Sequence, residues 1–81
     1  MPKLKQQSKE YSYTVLYHQI KGGYEIAVPV IPGLVSFGRN LDEARAMARD
    51  AITCYLGAVR KEHSSIPAEL DLVQEKVIVM A

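Results

Sequence analysis

The 81-residue sequence has no tryptophan, one phenylalanine and one cysteine, and its ten lysines and arginines nearly cancel its nine acids. Each shortage excludes something. A lone Cys54 cannot close an internal disulfide, so an oxidising compartment is not implied. A net charge of +1 withholds the broad basic field that non-specific binding to nucleic acid or membrane requires. No apolar run approaches the roughly 20 residues of a membrane-spanning helix. The lysine-bearing start, Lys3, Lys5 and Lys9, leads into an alternating segment and not into a signal-peptide core. The expectation is a soluble cytoplasmic protein with no membrane partner. So short a chain buries a modest core, and self-association is expected to help it.

What is present is ordered by local chemistry. Residues 1–10 are polar and lysine-rich and read as a flexible basic arm. The domain is expected over residues 11–81. Tyr11–Ile20 alternates, with Tyr11, Tyr13, Val15 and Tyr17 on one face and Ser12, Thr14, Leu16 and His18 on the other, which predicts a strand. Gly22 and Gly23 follow Lys21 as a hairpin turn. Tyr24, Ile26 and Val28 alternate in a second strand and should pair with the aromatic face of the first. Pro29 lacks an N–H and should end that ladder. Pro32-Gly33 is a turn dipeptide, and Leu34–Phe37 is a short third strand closed by Gly38.

The surest element is a helix from Leu41 to about Glu62. Asn40 is a good N-cap, and Glu43 three residues later suits a capping box. Leu41, Ala44, Ala48, Ala51, Ile52, Tyr55 and Val59 form one apolar stripe. Ser64-Ser65 and Ile66-Pro67 stop the helix. Lys76–Met80, KVIVM, reads as a last strand after a polar connection, joined by a right-handed crossover. The predicted class is α+β, in the order β-β-β-α-β, with the helix over one face of a small sheet.

Catalysis is not expected. Metal-dependent phosphodiester chemistry needs several converging carboxylates, yet Tyr11–Ile20 contains no acid. Asp42 and Glu43 are explained by the helix start, and Glu25 stands alone in its strand. His18 and His63 have no matched acid, serine or cysteine. Cys54 is read as packed at the boundary of the stripe, with no basic neighbour to lower its pKa. Gly22-Gly23 precedes a strand, whereas phosphate loops open onto a helix. No catalytic residue, metal site or cofactor is predicted.

Two surfaces are left for partners. Val30, Ile31, Pro32 and Phe37, on and beside a proline-stiffened loop, are predicted to be exposed and to meet a partner at small entropic cost. The second sheet face, with Leu16, His18, Ala27, Leu34 and Ile78, is too apolar to be fully solvated. Leu16, His18, Leu34 and Ile78 are therefore expected to mediate self-association as a dimer or tetramer. Small residues Ala46, Thr53 and Gly57 lie on the outward helix face.

The ordered set Tyr24-x-Ile26-x-Val28-Pro29-x-x-Pro32-Gly33, then Gly38, then Asn40-Leu41-x-Glu43-Ala44, then Ala48, Ala51 and Ile52, resembles the HicB-like antitoxin family. The resemblance covers roughly residues 13–79 and includes the upstream Gly22-Gly23 turn. Asn40 stands where the family often has threonine; both cap helices. The resemblance implies a degraded RNase H-like fold. It also implies a function: binding and neutralising a small HicA-like mRNA interferase by occluding its RNA site. Many members continue into a DNA-binding segment; none is read before Ala81, so direct operator binding by this chain is not expected. The alternative is a free-standing oligomeric module of the same family with another partner.

Overall fold

The computed structural model describes residues 10–70 and 72–81. The basic arm expected over residues 1–10 therefore lies, except for Glu10, outside the described residues. The elements are β1 (Leu16–Ile20), β2 (Gly23–Ala27), β3 (Val35–Gly38) and α1 (Leu41–Lys61). The strands form one antiparallel sheet in the order β1-β2-β3. The α+β class, with a small sheet and one long helix, is as the sequence predicts.

The first hairpin turns on Lys21 and Gly22, with Gly22 at φ 91°. β1 is shorter than the alternation suggested, beginning at Leu16 and not at Tyr11. The register explains it. Leu16 faces Ala27, so the next partners would be Val15 with Val28 and Thr14 with Pro29. Proline cannot donate to a ladder, and the Val28 carbonyl is already taken by the Ile31 N–H at 2.9 Å. The Thr14 N–H and hydroxyl donate instead to the Glu69 carboxylate, both at 2.6 Å, while the Tyr13 hydroxyl donates to the Pro67 carbonyl at 2.6 Å. These bonds tie the segment after the helix to the entry of β1.

α1 starts as its sequence dictates. Asn40 is extended, and its side chain accepts from the Glu43 N–H at 2.8 Å. The Glu43 carboxylate reaches back past the cap to the Arg39 N–H at 2.6 Å and grips the Arg39 guanidinium by two contacts of 3.1 Å. These guanidinium bonds first, and the backbone bond second, hold the Glu43 carboxyl below the usual carboxylate range. The helix ends in a Schellman arrangement: Ser64 N–H bonds to Val59 O and His63 N–H to Arg60 O. The residue in the left-handed position is His63, at φ 57°, where glycine is the usual choice. His63→Gly is expected to raise stability by about 0.5–1 kcal/mol, because the Cβ strain is relieved at some cost in unfolded-state entropy. A urea unfolding midpoint would measure it.

The core is small: Ile26, Val28, Ile31, Ala44, Ala48 and Val59 are buried. Ile26, Ala44 and Ala48 cluster, with Val15, Tyr17 and Tyr24 packed against them. The aromatic face of the hairpin thus meets the alanine side of the helix, as the two periodicities required. α1 lies over β3 and β2 and scarcely touches β1. The expected last strand is not formed: residues 72–81 carry no ladder, turn or bend, and Val77, Ile78, Val79 and Met80 are 72–94% exposed. With no such strand, the expected crossover is absent too.

Candidate interaction surface

Among the described residues, no three histidine, cysteine or acidic side chains gather as a metal site. Glu25, Glu43, His18 and His63 each have a structural role. Glu43 is spent on the helix start and His63 on its end. His18 faces Glu25 across the β1–β2 ladder, its Nδ1 3.5 Å from a carboxylate oxygen, with both side chains largely in solvent; such a pair contributes little. Cys54 is exposed and not packed at a boundary, because the helix turns that flank of α1 away from the sheet. Burial pushes the Tyr13 phenol pKa up, in keeping with its role as a donor to Pro67.

The sheet face away from α1 is the first surface that needs explanation. Leu16, His18, Glu25, Ala27, Val35 and Ser36 line a shallow recess of about 320 Å³. Val35 is 73% exposed, Phe37 44% and Leu16 38%. Leu16, His18 and Ala27 are thus brought together as the sequence suggested. Leu34 is half-buried just before β3, and Ile78 lies in the unpaired tail and not on this face. Val35 was missed; as the residue facing Ala27 across the β2–β3 pair, its position could have been read from the β2 alternation once the β3 register was known.

The Pro29–Gly33 loop is built differently from the expectation. Two successive turns are closed by Ile31 N–H to Val28 O at 2.9 Å and Leu34 N–H to Ile31 O at 3.1 Å. Pro29 and Pro32 each occupy the second position of a turn, where their fixed φ fits. Gly33, at φ 85°, takes the left-handed third position of the second turn. Ile31 is shared by both turns and is only 1% exposed. It anchors the loop from within and is not available to a partner. Pro32 is exposed and Val30 half-exposed, so the loop can present these two from a rigid base. The three-residue spacing of the prolines was the available signal for the inward residue.

A second recess, of about 540 Å³, runs between α1 and the segment entering β1. Val15, Ala48, Ile52 and Leu56 supply its apolar lining, while Tyr11, Tyr13, Tyr17, Arg45 and Arg49 border it. It exists because the helix sits toward β3 and leaves the β1 side uncovered. On the outward side of α1, a Cβ at Gly57 would meet nothing within 4 Å. Gly57→Ala is expected to add about 1 kcal/mol of stability and leave the mass in solution unchanged. A changed mass by light scattering would instead mark that face as a close backbone contact.

Comparison with known proteins adds the following. The family model described as "HicB_like antitoxin of bacterial toxin-antitoxin system" matches residues 13–77. A UPF0150 protein of Synechocystis sp. is 32% identical over 71 residues, covering 86% of this chain and 89% of the relative. A UPF0150 protein of Thermoplasma acidophilum is 31% identical over 58 residues, covering 70% and 84%. A 14.9 kDa protein from the rep-hol intergenic region of Haemophilus phage HP1 is 29% identical over 55 residues; the match spans 68% of this chain but 41% of the phage protein. No solved structure matches the chain.

Proposed function

Because the chain belongs to the HicB-like antitoxin family, we propose that it is an antitoxin-type binding protein that neutralises a small HicA-like mRNA interferase by occluding its RNA site. The observation that carries the reading is the family match across residues 13–77. The structure supports it with a surface suited to occlusion: Val35, Phe37 and Leu16 exposed on one sheet face, beside the stiff loop that presents Val30 and Pro32. A rigid apolar patch loses little entropy on docking. The mechanism asks no chemistry of this chain; binding alone covers the toxin surface that RNA must reach. No DNA contact is assigned to these residues, and the RNase H-like ancestry rests on the same family membership. Among the described residues, no helix is long and apolar enough to cross a membrane.

The test is to purify a HicA-like mRNA interferase, sought first in the reading frame adjacent to this one, and measure its cleavage of messenger RNA. Adding this chain is expected to abolish cleavage at a one-to-one ratio. Phe37→Glu, on the exposed rim, is expected to weaken inhibition at least tenfold while the circular dichroism spectrum is retained. Undiminished cleavage in the presence of excess folded chain would overturn the antitoxin reading. A second reading, a free-standing oligomeric module of the family, is favoured by one observation, the exposed apolar residues 77–80.

A further inference from the structure

The helix-free sheet face carries one acid. The register sets its side chains in two rows across the three strands: Leu16, Ala27 and Val35 in one, His18, Glu25 and Phe37 in the next. Glu25 stands at the middle of the second row, on the central strand. Glutamate is a poor strand residue, so sheet formation does not explain it there. Its contact with His18 is loose: 3.5 Å, outside good hydrogen-bond range, with the two side chains 63% and 76% exposed. Among the described residues, no lysine or arginine lies within ion-pair distance of its carboxylate. Glu43, by contrast, is fully engaged by the Arg39 guanidinium and backbone N–H.

The recess of about 320 Å³ has Leu16, Ala27 and Val35 as its apolar walls and Glu25 at one side. Ala27 is the small member of its row, between two larger residues, and leaves a trough along β2. An apolar trough that ends at a carboxylate suits a side chain with an apolar stem and a cationic head. Arginine suits it better than lysine. The planar fork can take both Glu25 oxygens, and the guanidinium plane can rest on an aromatic ring. Phe37 supplies that ring from the position across from Glu25. It leans over β2 on the turn side of Glu25, since a Cβ at Gly23 would lie 2.7 Å from the Phe37 Cζ.

Given the antitoxin reading, on which this rests, we propose that the recess is a socket for one arginine of the partner's RNA-binding surface, with Glu25 standing where an RNA phosphate would stand. Charge complementarity selects this occupant. A surface that holds RNA must present cations to phosphates, and a purely apolar cover would bury such a cation unpaired at high cost. One carboxylate in the middle of the apolar face removes that cost, and the pair strengthens as water leaves. It also discriminates. A partner with no cation at that point would bury Glu25 unpaired and be rejected.

Glu25→Gln keeps the size and removes the charge. Against the HicA-like interferase it is expected to raise the inhibition constant about tenfold or more and to flatten the salt dependence of the association rate. Circular dichroism should not change. Glu25→Lys is expected to cost about a hundredfold or more, because like charges then meet in the socket. Each toxin arginine is next changed to alanine. One of them should cost about tenfold or more against the native chain, yet less than about threefold against Glu25→Gln, as a coupled pair does. Equal inhibition by the native chain and Glu25→Gln overturns the socket and leaves the antitoxin reading standing. A weaker Glu25→Gln with no coupled toxin arginine also overturns the socket, since the charge then acts only at long range. A native chain that fails to inhibit at all overturns the antitoxin reading, and the socket with it.

Discussion

Gly38→Ala is expected to lower the unfolding free energy by about 3 kcal/mol or more, at or beyond the upper end for overpacking a tight core. Gly38 is buried at the end of β3. An added Cβ would overlap the Ala44 backbone nitrogen and lie 2.5 Å from its Cα and 2.9 Å from its Cβ. Two of these are backbone atoms of the first helical turn, so no rotamer change relieves the overlap; the helix itself must move. Moving it uncovers Ala44 and Ala48 from Ile26, the centre of the core. Gly23 faces the same junction from β2: its Cβ would overlap the Gly38 carbonyl oxygen, and its φ of 156° is itself unfavourable for other residues. The contrast is Gly57, where the same substitution is expected to stabilise. Urea unfolding of the two alanine variants, moving in opposite directions from the native midpoint, would check the assignment. Equal stability of Gly38→Ala and the native chain would show that helix and sheet are not in that contact.

The second large effect is expected at Ile31. Truncation to alanine removes three carbons from the most fully buried large side chain and should cost about 2–5 kcal/mol, transfer and cavity together. A domain of this size has roughly 4–12 kcal/mol to lose, so the substitution removes a large fraction of its stability. The midpoint in urea should fall with an unchanged slope if only stability is altered. Val30→Ala, one residue away but half-exposed, should cost far less. The pair separates an anchoring role from a partner-contact role within one loop. If Ile31→Ala were neutral in stability but weakened toxin inhibition, the anchor reading would be wrong.

Much of this fold was legible because its instructions are local. Asn40 and Glu43 cap a helix wherever that helix packs, and the alanine stripe follows from a 3.6-residue period alone. Gly22 bends the hairpin because only its own φ matters there. Pro29 announced the end of a ladder by lacking a donor. What misled were residues whose state depends on distant partners. Tyr11–Val15 alternates like a strand, but whether it pairs was decided by Pro29, two residues past the end of the neighbouring strand. Lys76–Met80 has strand composition, but composition cannot say whether an edge lies within reach; Glu69 at Thr14 decides that.

The interaction surface divides the same way. Leu16, His18 and Ala27 were assigned to one face by a period of two, which needs no tertiary knowledge. Ile31 was assigned outward because it sits in a loop, and loops lie on surfaces. Its burial depends on two turns sharing it, each too weak a signal alone to give a direction. The sequence by itself therefore determined β2, β3 and α1 to within a residue or two, the Asn40 cap and the Gly22 and Pro32-Gly33 turns, since those depend on neighbours within four residues. The tertiary structure decided where the ladders stop, that Ile31 points inward, that α1 favours β3 over β1, and that residues 77–80 are left without a partner. Those outcomes depend on which groups meet across the sheet and on which hydrogen bonds are already taken, and that is set only when the chain closes on itself.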